Sequence, residues 1–452
     1  MNECEYVVSR YNYELEYSDS SDGYIFNCLS GALIKVPKIY AELLSSNKGS
    51  DKVLSLSTGL ESHRIFRELR DQGFIKKKGV NELLEVKKRY ENPEVSQIFS
   101  LTIAPTFNCN LNCSYCYQGN ASGQISKEIL DKILNVIEQE LRSEKYLTLQ
   151  IQWYGGEPLL ALKQIIYLTE KILEITDKYK VKYKANLITN GTLIDEAIVD
   201  TLHLVKITHA QITLDGPFEI HNQSRFYQDN SGSFKDVLNA ILILSKHIDL
   251  SIRINVDKNS IKHTFSLLET LSQKLNFNQC KKVLPYIAMI GPYTETCKDT
   301  IKTAVNKNIF YSQVLDFQEK VLQLIPNLTV QEVFEFPKPR SRSCGALNPG
   351  SICIAPNGQV FKCGLEMHDP DLGGDNIGGI YKEHINYRKW IEYDPMKNET
   401  CLQCIFLPIC MGGCVKFNFE QDHYFSNDAC SHWGNHLEDI LKRIIKVKAG
   451  NI

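Results

Sequence analysis

The chain has 452 residues, 43% hydrophobic and 23% charged, with a formal net charge of −2. That composition gives ample core for about three domains, without the basic excess of a nucleic-acid binder or an apolar run long enough to cross a membrane. The amino terminus, Met1-Asn2-Glu3-Cys4-Glu5, is acidic and lacks a signal-peptide core, so the 15 cysteines are expected in a reducing cytoplasm, as metal ligands rather than disulfides.

Residues 1–95 open with Tyr11, Tyr13, Leu15 and Tyr17 alternating with polar residues, the period of a strand. A Ser20-Ser21-Asp22-Gly23 turn leads to apolar-rich Tyr24 to Phe26 and Leu33 to Val36. Pro37 suits the first turn of a helix carrying Ile39, Tyr40, Leu43 and Leu44. A second helix carries Ile65, Phe66 and Leu69 and stops at Gly73. Three short strands followed by helices look like a small winged helix. Arg64, Arg67, Arg70 and Lys76 to Lys78 raise a DNA-binding reading, but Glu61, Glu68, Asp71, Glu82 and Glu85 interleave with them, and a solvated helix face explains the charges more simply. A linker is expected at Lys87 to Ser96.

From about residue 98 to 310, strand and helix patterns alternate. The strand Ser100 to Thr106 runs into Cys109, Cys113 and Cys116, a Cys-x3-Cys-x2-Cys loop with Tyr115 before its last thiol. Three thiolates hold three irons of a cubane and leave the fourth open to chelate a small molecule and pass it an electron. A structural zinc knuckle would want a fourth Cys or His, and none follows before His203. Ser126 then caps a helix with Ile129, Leu130, Ile133, Leu134, Ile137 and Leu141 at helical spacing. The strand Leu147 to Trp153 ends in Gly155-Gly156-Glu157-Pro158. The two glycines let backbone approach a ligand closely, and Glu157 offers an acceptor to an ammonium. Further strands fit Lys184 to Thr189, His209 to Leu214, Ser251 to Val256 and Val283 to Met289. Repeated βα units imply a parallel sheet with right-handed crossovers and ligands at the carboxyl ends of its strands. Thr189-Asn190-Gly191 and Thr213-Leu214-Asp215-Gly216 close two of them, and Arg253 and Asn255 lie within the fifth. Asn-Gly and Asp-Gly also read as plain turn residues.

The region from about 335 to 440 brings Cys344, Cys363, then Cys401, Cys404, Cys410 and Cys414, then Cys430. Pro356-Asn357-Gly358 reads as a hairpin turn between Ser351 to Ala355 and Gln359 to Cys363. Gly412-Gly413 lets the chain wrap tightly beside sulfur. Cys4, Cys28 and Cys280 read as small buried hydrophobes.

The loop and the Gly-Gly-Glu-Pro turn 39 residues after Cys116 resemble the radical S-adenosylmethionine (SAM) superfamily, and the later cysteines resemble its SPASM extension. The resemblance implies an α/β fold: a partial (β/α)6 barrel over 98–310, a SPASM domain over 335–440, and a winged-helix-like leader-peptide recognition domain over 1–95. It places a SAM-binding 4Fe-4S cluster on Cys109, Cys113 and Cys116. SAM or substrate contacts are implied at Tyr115, Gly155, Gly156, Glu157, Pro158, Asn190, Thr213, Asp215, Arg225 and Arg253. It implies two auxiliary iron–sulfur clusters, an inner one on Cys344, Cys363 and Cys414 and an outer one on Cys401, Cys404, Cys410 and Cys430. Cys353, Cys297 or a noncysteine ligand would complete the inner set, or an iron stays open there for a substrate thiol.

The activity implied is hydrogen abstraction from a ribosomally made precursor peptide by a 5′-deoxyadenosyl radical, giving a thioether or other intramolecular crosslink, with a flavodoxin or ferredoxin as electron donor. A carbon–carbon bond and an epimerisation are alternative outcomes. An anaerobic sulfatase-maturating enzyme is the nearest alternative, but that family places an Asp after the Cys matching Cys363, where this chain has Gly364. A noncatalytic iron–sulfur carrier or peptide chaperone would need neither an open iron nor the Gly-Gly-Glu-Pro turn.

Overall fold

The computed structural model describes residues 5–16, 21–49, 60–91, 97–119, 121–419, 430 and 433–448. Cys4, Tyr17, Ser20 and the end of the expected linker at Ser96 fall outside them. The chain divides into two compact units: Met1–Val95 with Glu335–Gly345 and Tyr393–Asn451, and Ser96–Phe334 with Ala346–Glu392.

In the first unit, β1 (Tyr6–Val8), β2 (Asn12–Leu15), β3 (Asp22–Asn27) and β4 (Leu33–Pro37) precede α1 (Lys38–Ser46) and α2 (Leu60–Asp71), and β5 (Ile75–Lys77) leads to α3 (Glu82–Glu91). The strands pair as an antiparallel β2-β3-β4 sheet and a separate β1-β5 ribbon. Pro37 is the N-cap of α1. After α2, Gly73 at φ +85° reverses the chain, so that the Phe74 amide reaches the Leu69 carbonyl. The apolar faces meet in one core of Val8, Ile25, Ile34, Val36, Leu44, Leu69, Phe74 and Ile75. The expected linker begins later than Lys87, because α3 buries Val86 and Tyr90 one turn apart and the Tyr90 hydroxyl donates to the Tyr393 carbonyl.

The second unit is built on six parallel strands: β6 (Ile98–Thr106), β7 (Thr148–Gly155), β8 (Lys182–Thr189), β9 (Ile207–Thr213), β10 (Asp249–Val256) and β11 (Val283–Met289). The crossovers carry α4 (Lys127–Arg142), α5 (Leu162–Tyr179), α6 (Glu196–Leu204), α7 (Phe218–Ser224), α8 (Phe234–Leu244) and α9 (Thr264–Lys274), and α10 (Lys307–Leu324) follows β11. Ser126 caps α4 by accepting from the Ile129 amide. Each strand neighbours the next in sequence without a reversal of order. Right-handed crossovers therefore place all the helices on one face. That face buries Leu149, Ile151 and Trp153 of β7, while alternate residues Gln150, Gln152, Asn186, Gln211, Ser251 and Arg253 stay half-buried on the other.

The expected hairpin is present as β12 (Ser351–Ile354) and β13 (Val360–Phe361), with Gly358 at φ +85°. It joins the large sheet beyond β6, Ser351 pairing in parallel with Ser100. Among the described residues no helix is long and apolar enough to cross a membrane.

Candidate active site at the carboxyl ends of the strands

Cys109, Cys113 and Cys116 lie in the loop that leaves β6, and the Cys116 amide closes a turn on the Cys113 carbonyl at 3.2 Å. The Gly155-Gly156-Glu157 segment runs beside the start of this loop. The Gly156 amide donates to the Thr106 carbonyl at 3.1 Å and the Glu157 amide to the Asn108 carbonyl at 2.9 Å. A Cβ on Gly155 would stand 2.2 Å from the Thr106 carbonyl oxygen, and one on Gly156 would stand 2.3 Å from that of Phe107. Gly155 also holds φ +125°, so both glycines are required by backbone contact. Burial pushes the Cys113 thiol up to about 11 against the pull of Arg225, and raises Cys109 as well. Cys109 Sγ accepts from the Leu111 amide at 3.5 Å and from Asn190 Nδ2 at 3.7 Å.

Glu157 is fully buried and joins two strand ends. Its carboxylate accepts from the Leu159 amide at 3.0 Å, Thr189 Oγ1 at 2.9 Å and the Asn190 amide at 2.7 Å. Burial raises its pKa to about 6, offset in part by these donors. Pro158 opens the 3-10 turn that Glu157 caps. Asn190 then bridges to the cysteine loop, donating to Asn110 Oδ1 at 2.8 Å and accepting from the Thr192 amide at 2.9 Å.

A second network lies under Tyr115. Its phenol donates to Asp215 and accepts from Arg225 Nη1 at 2.9 Å and Asn255 Nδ2 at 3.1 Å. The Asn255 amide donates to Asp215 Oδ1 at 2.9 Å, and Arg253 Nε donates to Asn255 Oδ1 at 2.7 Å. Burial raises the Asp215 carboxyl and Arg225 opposes it. Asn255 thus joins Tyr115, Asp215 and Arg253, and Arg225 enters through the Tyr115 hydroxyl, bringing four residues expected from the sequence together. Thr213 enters only through the backbone, in register with Arg253. Beside this network is a cavity of about 440 Å³ bounded by Tyr115, Asp215, Ser224, Asn255, Asp257 and Cys297, within the size range of small-molecule sites. Arg225 keeps one buried N–H, Nε, without a hydrogen-bond partner.

The sequence profile of the Radical SAM superfamily matches residues 103–267, which hold the cysteine loop and the ends of β6 to β10. The chain belongs to the radical SAM superfamily. This radical SAM enzyme is 26% identical over 377 residues to the cysteine-type anaerobic sulfatase-maturating enzyme of Clostridium perfringens, covering 78% of this chain and 99% of the relative. It is 22% identical over a 489-residue alignment to the radical SAM cyclopropyl synthase TigE of Paramaledivibacter caminithermalis, covering 98% and 97%. It is 26% identical over 362 residues to the antilisterial bacteriocin subtilosin biosynthesis protein AlbA of Bacillus subtilis, covering 76% and 73%. The solved structure of native anSMEcpe with bound AdoMet and Kp18Cys peptide matches with a TM-score of 0.58 at 22% identity, covering 78% of this chain and all of that one. At that identity the likeness speaks for the fold.

Membership in the radical SAM superfamily implies a 4Fe-4S cluster and SAM. The site suits both: free thiols in one loop, backbone packed so closely at Gly155 and Gly156 that no side chain fits, and an orphaned guanidinium N–H for a carboxylate. Sequence reasoning missed Asn110, Thr192, His221 and Ser233, which touch the site only through other side chains and carry no motif of their own.

The remaining described cysteines of this radical SAM protein are also free thiols. Cys401, Cys404, Cys410 and Cys430 lie close enough in the first unit for their charges to act on one another, Cys401 being pushed up to about 11 by burial and then by Cys410 and Cys430. Met411, Gly412 and Gly413 all hold positive φ, from +52° to +92°, so the chain coils tightly between Cys410 and Cys414. Tyr393 and Asn418 both donate to the Gly412 carbonyl, at 3.2 and 2.8 Å. Cys344 and Cys414 are exposed, and the Cys344 charge acts on Cys414. Cys363 stands just after β13 in the second unit, and Cys353 packs with Ala104, Ala355, Phe361 and Met367. Cys297 is buried in the cavity wall, its thiol donating to the Gly291 carbonyl at 3.6 Å. Cys28 is buried as expected of a small hydrophobe, whereas Cys280 is half-buried.

Proposed function

We propose that the protein is a radical SAM maturase that modifies a ribosomally made precursor peptide, forming an intramolecular thioether or related crosslink. The observation that carries this reading is a single chain joining the three-thiol loop and its cavity to a second set of clustered cysteines and a small β-rich module. The alignment with TigE runs through nearly the whole chain, AlbA is named for bacteriocin biosynthesis, and the anSMEcpe structure is titled with a bound peptide. Under this reading residues 1–95 recognise the leader, 98–310 form the partial barrel and 335–440 the SPASM domain.

When bound, the cofactors supply the one-electron chemistry: reductive cleavage of SAM, hydrogen abstraction and uptake of the surplus electron. Cys109, Cys113 and Cys116 would hold the SAM-binding cluster, fed by a flavodoxin or ferredoxin. Cys344, Cys363 and Cys414, and Cys401, Cys404, Cys410 and Cys430, would hold the auxiliary pair. Glu157, buried and engaged by Leu159, Thr189 and Asn190, fixes the Asn190 backbone beside Cys109 instead of meeting the SAM ammonium, and the Gly155-Gly156 backbone would take that contact. Arg225 would offer its Nε–H to the SAM carboxylate, and the Tyr115–Asp215–Asn255 network would form a wall of the cavity that receives it. These buried groups hold water away from the reacting carbon.

A second reading, formylglycine formation as in the sulfatase maturases, is favoured by the C. perfringens relative and weakened by Gly364. Anaerobic reconstitution with dithionite and SAM, followed by mass spectrometry of a co-expressed precursor peptide, tests the assignment. The maturase makes 5′-deoxyadenosine and a peptide lighter by two hydrogens with one thiol fewer. Turnover of a sulfatase-derived cysteine peptide instead would overturn it.

A further inference from the structure

The end of the parallel sheet opposite the cysteine loop carries charge that the proposed function does not use. The connections entering β7, β8, β9, β10 and β11 each deliver an exposed lysine at the strand entrance: Lys145, Lys180 with Lys182, Lys206, Lys246 and Lys281. Their neighbours Lys178 and Lys282 are paired with Glu138 and Glu332, but none of these six forms an ion pair among the described residues. Exposed Glu144, Asp177 and Asp249 share these connections, so the six lysines leave an excess of three positive charges at this end.

Helix C-termini attract cations, but that field fades within the last turn. It accounts for Lys180, Lys206 and Lys246, each within two residues of a helix end. Lys145 and Lys182 lie three residues beyond α4 and α5, and Lys281 lies seven beyond α9, so the dipole does not explain them. Lys184 continues the row inward, exposed on the helix-free face of β8 and in register with Gln150. From there half-buried Gln152, Asn186, Gln211 and Ser251 lead along the same face toward Arg253 and Asn255.

We infer that this lysine rim is a docking site for an acidic segment of the polypeptide substrate, an inference that rests on the peptide-modifying reading. Gln211 Oε1 already accepts from the Tyr286 hydroxyl at 2.6 Å and Ser251 meets His209 at 2.9 Å, so the carboxamides of Gln152 and Asn186 are the groups suited to the N–H and C=O of an extended chain. Strand β8 has eight residues, so rim and cysteine loop stand about 26 Å apart. An acidic segment held at the rim would therefore lie about eight extended residues from the residue that reacts. An electron carrier docked there would be a full strand length from the cluster loop, which favours the substrate as the occupant.

The test uses the anaerobically reconstituted holoenzyme and fluorescein-labelled octaglutamate, read by anisotropy, with octalysine as the opposite-charge control. Octaglutamate is expected to bind, more weakly as salt rises, and octalysine not to bind. The variant K145E/K182E/K281E should weaken octaglutamate by about tenfold. K163E/K235E/K262E, which makes the same charge change at exposed sites near the starts of α5, α8 and α9, should leave binding unchanged. Both should still form 5′-deoxyadenosine from SAM and dithionite, and K145Q/K182Q/K281Q replaces the reversal if that variant does not fold. Equal weakening by both reversals, or none by the rim variant, overturns the inference. So does an octaglutamate that blocks reduction by flavodoxin but not by dithionite, since the rim would then serve the electron donor. Failure of the functional reading shows separately, as an absence of 5′-deoxyadenosine in every form including the unaltered protein.

Discussion

His221 accepts the backbone N–H of Asp215 on Nδ1 at 3.1 Å. With Nδ1 as acceptor the ring proton belongs on Nε2, where it is donated to Ser233 Oγ at 3.0 Å, and that hydroxyl donates to the Arg225 carbonyl at 3.0 Å. Burial holds the imidazole neutral, its pKa well below the ordinary histidine value. One side chain thus sets the positions of both the buried carboxylate and the buried guanidinium of the Tyr115 network. His221→Phe should cost about 1–3 kcal/mol by leaving buried polar groups unpaired. It should raise the SAM concentration needed for half-maximal 5′-deoxyadenosine formation more than it lowers the limiting rate. His221→Asn, which keeps only the bond to Asp215, should fall between. Thermal unfolding and initial-rate kinetics check the two effects separately.

Gly156→Ala meets carbonyl oxygens of Phe107 and Asn108 at 2.3 and 2.4 Å. Backbone cannot swing aside as a side chain can, so the loop carrying Cys109 must shift. The variant is expected to bind less iron at that loop and to lose SAM cleavage by about a hundredfold. Gly345→Ala, whose Cβ meets nothing within 4 Å, should be silent. Iron analysis and 5′-deoxyadenosine assays of the two side by side decide it.

The buried carboxyl of Glu157 titrates at about 6, against its ordinary 4.5. A group raised on folding contributes stability below its unfolded pKa, and that contribution is lost as pH rises through the folded pKa. Wild type should therefore lose about 2 kcal/mol relative to Glu157→Gln as pH rises from about 3.5 to about 7, about 1.3 kcal/mol of it between pH 4.5 and 6. Melting temperatures across that range report it, and parallel curves for the two proteins would refute it.

Most of the six parallel strands were legible from alternating apolar and polar residues, as in β7 from Leu149 to Trp153, while β11, Val283–Met289, showed only as a short apolar run. The pairing of β12 with β6 was not, since Ser351 and Ser100 meet through a long-range register that leaves no local signal. The same holds for β1 and β5, three-residue strands that exist only because Tyr6 pairs with Lys77. Helix α3 was masked by its charges, with Val86 and Tyr90 carrying much of its burial. In the site, Asp215 and Arg253 stood out at or near strand ends, Tyr115 by its place before the last cysteine of the loop, and Arg225 as a candidate in the run after His221. His221 and Ser233 act through their neighbours, and a sequence shows no neighbours.

The two sets of thiols should separate in function. Cys113→Ala removes a ligand from the loop that would hold SAM, so it should abolish 5′-deoxyadenosine and lower bound iron. Gly412→Ala acts on the other set, because its Cβ would stand 2.5 Å from the Tyr393 hydroxyl and 2.8 Å from Pro395 at a residue already held at φ +92°. The coil between Cys410 and Cys414 must then open. The expected outcome is loss of about one cluster's iron, four atoms per chain, with SAM cleavage retained and conversion of the peptide lost. Iron content, 5′-deoxyadenosine yield and peptide mass, measured on one preparation, check all three. If Gly412→Ala lowered iron and SAM cleavage together, the second set would be supporting the first rather than serving a later step on the peptide.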